Sequence, residues 1–371
     1  MKEHDLLRYE ANNMRFAGHG VSIVASLLIF SAGMNVIGQQ VDPLIADVVA
    51  KMNAHLSEGE KKGFSGSVLV IKDGKPILQK GYGFADCKRE KRTATEMVFD
   101  IGSLTKPITA VAILKLQSQG KLKVDEPISR YLDGVPADKT GITIIQLLRH
   151  QSGLQDVFGA DEDYVTKDWF LKKAFESKLR FKPGEPGDIE DTYSNAGYSL
   201  LGAIIEKISG LSYEEYVSRN LFQPIGLKNT GYRKPNWKSE RVVCGFLDEK
   251  PWGSVRDFYG KTEPSWNLLA NGGMMSTVSE LNTFFTAILE DKILPRSEKD
   301  FYLETAAKKG RTGRRTMSPS GDNNIFSSLY VNFVDDGVSL VYFTSDNRFS
   351  IEKGFPRPLF PELNRLLPPV K

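Results

Sequence analysis

Gly66-Ser67-Val68-Leu69-Val70-Ile71-Lys72 and Pro76-Ile77-Leu78-Gln79-Lys80-Gly81-Tyr82, joined by Asp73-Gly74-Lys75, read as two extended segments and a tight turn. Branched aliphatic residues favour strands, and Asp-Gly supplies the left-handed backbone that a short hairpin requires. Strand signals return far along the chain, at residues 325–333 and 338–344, with Asp335-Asp336-Gly337 as the turn. Between these ends, from Ile108 to about Leu289, the apolar spacing is helical; residues 143–150 and 198–208 show it best. Strands at both ends with helices between predict an α/β architecture: one antiparallel sheet built from N- and C-terminal strands and flanked by helices. A helical domain is expected as an insertion over roughly residues 120–290, inside one larger domain over 41–350. Residues 1–40 read as a leader and 351–371 as a C-terminal tail. No internal repeat or low-complexity tract interrupts the pattern.

A chain of 371 residues with 40% hydrophobic content is large enough to bury an extensive core. Its net charge of +3 carries no nucleic-acid signature, and the one basic tract, residues 308–315, reads as a solvated loop. Residues 21–30 form an apolar core of signal-peptide length followed by small residues, with a cleavage position expected near Gly38. Met14-Arg15-Phe16 suits the start of such a leader better than the acidic first thirteen residues. Export to a periplasmic or extracellular location is therefore expected. Membrane attachment enters only through an uncleaved leader. Cys87 and Cys244 fit either one disulfide or two buried thiols.

Phe99-Asp100-Ile101-Gly102-Ser103-Leu104-Thr105-Lys106-Pro107 carries the chemistry. A serine and a lysine three residues apart share one helical face, and a lysine stripped of water can take a hydroxyl proton. The buried run after Pro107, stopped by Gly120, places Ser103 near a helix N-terminus, where Pro107 fits the first turn. Tyr193-Ser194-Asn195 precedes another buried helix. There a tyrosine can relay a proton and an asparagine can hold a substrate amide, while Ser194 or Asn195 can cap the helix.

Further ordered segments accompany these: residues 146–154, Tyr193 to Gly202, and Asn271-Gly272-Gly273-Met274-Met275-Ser276-Thr277. Together with Ser103 and Lys106 they make the chain, over roughly residues 42–350, resemble the serine β-lactamase, DD-peptidase and esterase superfamily, in its class C β-lactamase-like branch. The resemblance implies an α/β sandwich with an inserted helical domain. It also implies that Ser103 is acylated, that Lys106 and Tyr193 share the proton traffic, and that Asn195 positions the substrate. No cofactor or metal is implied. The partners expected are a small ester, an amide or a cell-wall peptide.

The family's third motif is a basic residue, then Ser or Thr, then Gly, on a strand facing the nucleophile. Here it matches Ser318-Pro319-Ser320-Gly321-Asp322, so Pro319 stands at the basic position. Ser320 and Gly321 are then expected at the substrate, with the amide of Asp322 joining that of Ser103 as an oxyanion hole. Losing the base shifts the expected substrates from carboxylate-bearing β-lactams toward neutral esters or amides, unless Arg311, Arg314 or Arg315 replaces it. A Ser-His-Asp hydrolase fits poorly: His55 reads as a solvated residue, His150 as a packing or capping residue, and no Gly-x-Ser-x-Gly elbow is present. The alternative from another class is a catalytically silent envelope protein that binds through the same cleft.

Overall fold

The computed structural model describes residues 42–259, 263–309 and 313–368; the leader, and with it the expected cleavage site, lies outside them. Helix α1 (Pro43–Lys61) precedes strands β1 (Gly66–Lys72), β2 (Lys75–Tyr82) and β3 (Phe99–Asp100). A helical region follows: α2 (Thr105–Ser118), α3 (Ile144–Leu148), α4 (Lys167–Glu176), α5 (Ile189–Thr192), α6 (Asn195–Ser209) and α7 (Tyr213–Val217). Short strands β4 (Gly245–Leu247), β5 (Lys250–Gly253) and β6 (Met275–Ser276) lead to α8 (Val278–Leu289) and α9 (Arg296–Ala306). The chain returns through β7 (Ala307–Lys309), β8 (Arg315–Met317), β9 (Ser320–Asp322), β10 (Ser327–Phe333), β11 (Val338–Thr344) and α10 (Leu359–Arg365).

The main sheet has the order β2-β1-β11-β10-β8-β7, with β9 also paired to β10. Its centre joins the two ends of the chain, since β1 runs antiparallel to β11 from Gly66 opposite Thr344 to Lys72 opposite Val338. Both expected hairpins form. Asp73 and Gly74 take φ of 51° and 74°, the left-handed pair that matches strand twist.

Alternation along the strands explains the two layers. Val68, Val70, Leu340 and Tyr342 bury against α1, whereas Leu69, Val341 and Phe343 bury into the larger core on the helical side. A period of two sends neighbours to opposite faces, so a sheet apolar on both sides needs cover on both sides. This requirement corrects the reading of residues 351–371 as a tail. Helix α10 inserts fully buried Leu359 and Leu363 beside Val48, Met52 and Leu56 of α1, because α1 alone leaves part of that face uncovered.

Two further expectations change. The basic tract read as a loop belongs in part to an edge hairpin, in which Lys308 lies opposite Thr316 and Lys309 opposite Arg315. Charged residues on an edge strand discourage pairing with another chain, which accounts for strand structure under a loop-like composition. His55 is half-buried rather than solvated; its Nε2 lies 2.8 Å from the Phe355 carbonyl and its ring packs on Phe355.

Cys87 and Cys244 form a disulfide across 157 residues of chain. In the chain-entropy picture, closing a loop of that length removes about 5 kcal/mol of unfolded-state freedom, and measured effects commonly reach ~2–4 kcal/mol. Replacing both cysteines by serine is expected to lower the unfolding free energy by about 2–4 kcal/mol. Thermal melts of the variant and the oxidised protein check this; equal Tm values would show that the bridge contributes nothing.

Candidate active site

Ser103 sits on a single 3-10 turn, Gly102–Leu104, that runs directly into α2. Lys106 follows in the first helical turn and Pro107 behind it, where a missing N–H costs no helical hydrogen bond. The lysine is 5% exposed. Its Nζ donates to Ser103 Oγ at 2.9 Å, to Asn195 Oδ1 at 2.6 Å and to the Asn271 carbonyl at 2.7 Å. Three acceptors match the three protons of an ammonium, and none of them carries charge. Burial therefore pulls the lysine down to about 7, with Asp156 and Asp161 opposing the shift.

Tyr193 approaches from the other side and donates to Ser103 Oγ at 2.8 Å. Burial pushes its hydroxyl up to about 12, so at neutral pH it is a proton donor. The loop that carries it is held from two directions. His150 Nδ1 accepts the Ser194 N–H at 3.1 Å, and the imidazole stacks on Tyr193 with ring centres 4.4 Å apart. Burial, aided by the charge on Lys106, lowers His150 to about 3, so the ring stays neutral and keeps that acceptor. Arg180 spends its guanidinium on the carbonyls of Leu154, Asp191, Thr192 and Tyr193, at 2.9, 3.0, 3.1 and 2.5 Å.

Of the two capping residues the sequence offered, Ser194 takes the role, accepting from Gly197 N at 3.0 Å. Asn195 is thereby the first residue of α6. Its amide is already engaged at both ends, with Oδ1 on Lys106 and Nδ2 on Asp156 at 2.9 Å. It acts first as a bridge that holds the lysine; one amide hydrogen remains for a substrate.

The third-motif strand lies against the nucleophile turn. A Cβ on Gly321 would fall 2.1 Å from the Ile101 carbonyl and 2.7 Å from Ser103 N, so only glycine permits this approach. Tyr330 N–H donates to the Pro319 carbonyl and Asn323 N–H to that of Phe326, with Asp322 opposite Ser327. In that alternation the Asp322 N–H points away from β10, toward the Ser103 turn, where the nitrogen would lie 3.0 Å from a Cβ on Gly102. The backbone nitrogens of Asp322 and Ser103, the pair expected as oxyanion donors, thus lie on two closely packed segments. Ser320 is exposed at the start of the strand. Pro319 has no N–H to return to Tyr330, which sets the start of β9 one residue later.

The arginines weighed as replacements for a basic residue at 319 are engaged elsewhere. Arg314 pairs with Asp336, and Arg315 pairs with Asp335. Arg311 lies outside the described residues. The cavity at Ser103 is lined by Asp100, Asp161, Glu162 and Asp322, and among its described residues none is basic.

Sequence reasoning missed Asp156, Arg180 and Asp100. Asp100 is 1% exposed, and its carboxylate accepts from Gly102 N at 2.7 Å and from Asn323 Nδ2 at 2.9 Å. It therefore ties the nucleophile turn to the residue following Asp322. The only sequence signal was a charged residue amid the buried Phe99 and Ile101.

A family model described as Beta-lactamase matches residues 44–344. The chain belongs to the β-lactamase family. Penicillin-binding protein 4* of Bacillus subtilis (strain 168) is 27% identical over 327 residues, 77% of this chain and 69% of that protein. Protein flp of Staphylococcus aureus (strain NCTC 8325 / PS 47) is 31% identical over 216 residues, 56% of this chain, and the match spans only 41% of its own length. Among solved structures, FmtA from Staphylococcus aureus superposes with a TM-score of 0.71 at 19% identity, covering 88% of this chain and 91% of that one. The octameric penicillin-binding protein homologue from Pyrococcus abyssi gives 0.67 at 23%, covering 88% and 78%. These likenesses establish the expected fold.

The geometry sets a pH dependence. Lys106 accepts a proton only when neutral, so kcat/KM should rise with pH and level off above about 7. Lys106→Ala should abolish that limb and lower kcat by about 10² or more, whereas Asp100→Asn should retain it. Tyr193→Phe should cost more with alkyl esters than with nitrophenyl esters, whose leaving group needs no proton. Steady-state profiles from pH 5 to 9 check all three.

Asp100→Ala should free both halves of the oxyanion hole and reduce kcat about tenfold to a hundredfold, a fraction of the ~10²–10³ for a lost donor, with KM little changed. Asn323→Ala should shift kcat in the same direction, and the double variant should be less than additive. Additive losses would show that the two residues act separately.

Proposed function

We propose that this family member is an active serine hydrolase that forms an acyl-enzyme on Ser103 and acts on uncharged esters or amides outside the cytoplasm. One observation carries this reading: Ser103 Oγ lies 2.9 Å from a buried lysine and 2.8 Å from a protonated tyrosine, a base and an acid on one nucleophile. Neutral Lys106 takes the Ser103 proton as Oγ bonds to the carbonyl carbon, and the oxyanion forms against the amides of Ser103 and Asp322. Collapse breaks the bond to the leaving oxygen or nitrogen, which takes the Tyr193 proton; the lysine returns a proton to the tyrosine. Water then releases the acid by the same groups.

The substrate preference rests on Pro319, on the pairing of Arg314 and Arg315 away from the cleft, and on the acidic lining around Ser103. A substrate carboxylate would find no basic side chain among the described residues of that lining. The apolar leader segment and the disulfide support export, since disulfides persist in oxidising compartments.

Intact-mass measurement after exposure to an aryl ester, a fluorophosphonate and a penicillin tests the reading, with peptide mapping of the adduct. Labelling of Ser103 by the first two is expected, with faster turnover of neutral esters than of penicillins. Absence of any adduct would favour the silent binding protein, and efficient penicillin hydrolysis with poor ester turnover would overturn the substrate order.

A further inference from the structure

Asp156, in the segment between α3 and α4, is linked to Lys106 through Asn195. Its Oδ1 accepts both the backbone N–H and the side-chain Nδ2 of Asn195, each at 2.9 Å, and its carbonyl accepts the Ala196 N–H at 2.8 Å. Asn195 passes the contact on, because its Oδ1 is the acceptor 2.6 Å from Lys106 Nζ. A lysine acting as a base depends on that arrangement. The neutral amine has two hydrogens and one lone pair. With the hydrogens on Asn195 Oδ1 and the Asn271 carbonyl, 2.6 and 2.7 Å away, the lone pair is left for the Ser103 hydroxyl at 2.9 Å. An Asn195 amide turned over would aim an N–H at that lone pair and compete with the serine for it.

We infer that Asp156 is a positioning residue that holds the Asn195 amide in the one orientation that keeps the Lys106 lone pair on Ser103; the inference rests on the serine-hydrolase reading above. An ionised carboxylate only accepts hydrogen bonds. The overturned amide would set Asn195 Oδ1 about where Nδ2 now lies, 2.9 Å from Asp156 Oδ1, oxygen against oxygen with one of them charged, so the carboxylate excludes it. The Asn195 backbone N–H shares the same Oδ1 and cannot turn over, so it fixes which atom faces the amide. Asp156 acts through its charge as well. Among the described residues, the titratable groups that face Lys106 are Asp156 and Asp161, which both favour the ammonium, the neutral His150, and the rings of Tyr193 and Tyr198. Removing the Asp156 carboxylate therefore favours the neutral amine. Orientation and charge can be separated. Asp156→Asn would turn its own amide oxygen to the Asn195 N–H and keep the orientation without the charge, whereas Asp156→Ala loses both.

The experiment compares pH profiles of the two variants on a neutral aryl ester. Both should fold, since the Asp156 carbonyl still meets Ala196 N–H and Ser194 Oγ still donates to the Gln155 carbonyl at 2.7 Å. In Asp156→Ala the plateau of kcat should fall about tenfold, the fold-change for losing a hydrogen bond to a charged group, with KM little changed. Asp156→Asn should restore the plateau to within about threefold, because a neutral acceptor remains. In both variants the midpoint of the kcat/KM limb should move about half a unit or more to lower pH. A purely structural role would lower the plateau without that displacement. Exchange of the Asn195 side-chain amide hydrogens, followed by NMR and assigned with Asn195→Ala, needs no turnover. It should be slow in the unmodified protein and in Asp156→Asn, and about tenfold faster in Asp156→Ala. A limb fixed in both variants, a plateau that alanine leaves intact or asparagine fails to restore, a loss confined to KM, or equal exchange in all three proteins would overturn the assignment. If the exchange pattern appears while Ser103 is never acylated, the Asp156 assignment stands and the catalytic reading falls.

Discussion

The burial of one ammonium group organises this molecule. Lys106 lies inside the protein with no carboxylate in contact among the described residues, held by a hydroxyl, a side-chain amide and a backbone carbonyl drawn from three separate segments. An isolated buried charge is costly, and the group answers by lowering its proton affinity until both forms are accessible near neutrality. The same three contacts require that the start of α2, the start of α6 and the loop at Asn271 converge on one point. The geometry of the candidate site and the assembly of the domain therefore share a single set of hydrogen bonds.

That convergence explains the density of support around the Asn271 loop. Thr109 donates to the Ala270 carbonyl at 2.6 Å, and Asn271 Nδ2 reaches Ser199 Oγ and the Asn267 carbonyl at 2.8 and 2.7 Å. Ile101 N–H donates to the Met274 carbonyl at 2.9 Å, binding the nucleophile turn to the same loop. Each bond fixes backbone next to the lysine or next to the proposed oxyanion donors. Misplacement by an ångström would weaken electrostatic stabilisation of the transition state, which depends on donors already in position.

The substrate cleft has an unequal charge distribution. One side gathers Asp100, Asp161, Glu162 and Asp322, and the cavity beside Pro319 is lined by leucine and aromatic rings together with Thr305, Lys308 and Ser318. The structure accommodates the acidic side partly by raising carboxyl proton affinities: burial brings Asp100 up to about 7 and also raises Asp322.

Much of this was legible in the residues. Alternating apolar strands, Asp-Gly turns and the three-residue spacing of Ser103 and Lys106 are local signals, and local backbone preference is what periodicity and turn chemistry report. Family resemblance singled out Tyr193, Asn195 and the Gly321 strand, and the structure brings Tyr193 to Ser103 and Asn195 to Lys106 at hydrogen-bond distance. What sequence could not show arises from long-range contact. The roles of Asp156, Arg180 and Asp100, the cover that α10 gives the sheet, the half-burial of His55, the edge hairpin at Lys308 and the pairing of Arg314 and Arg315 all depend on partners distant along the chain. The lowered proton affinity of Lys106 belongs with them. Sequence alone determined which groups were available for acid and base chemistry; only tertiary structure decided their protonation, because desolvation is a property of the surroundings a side chain acquires when the chain closes around it.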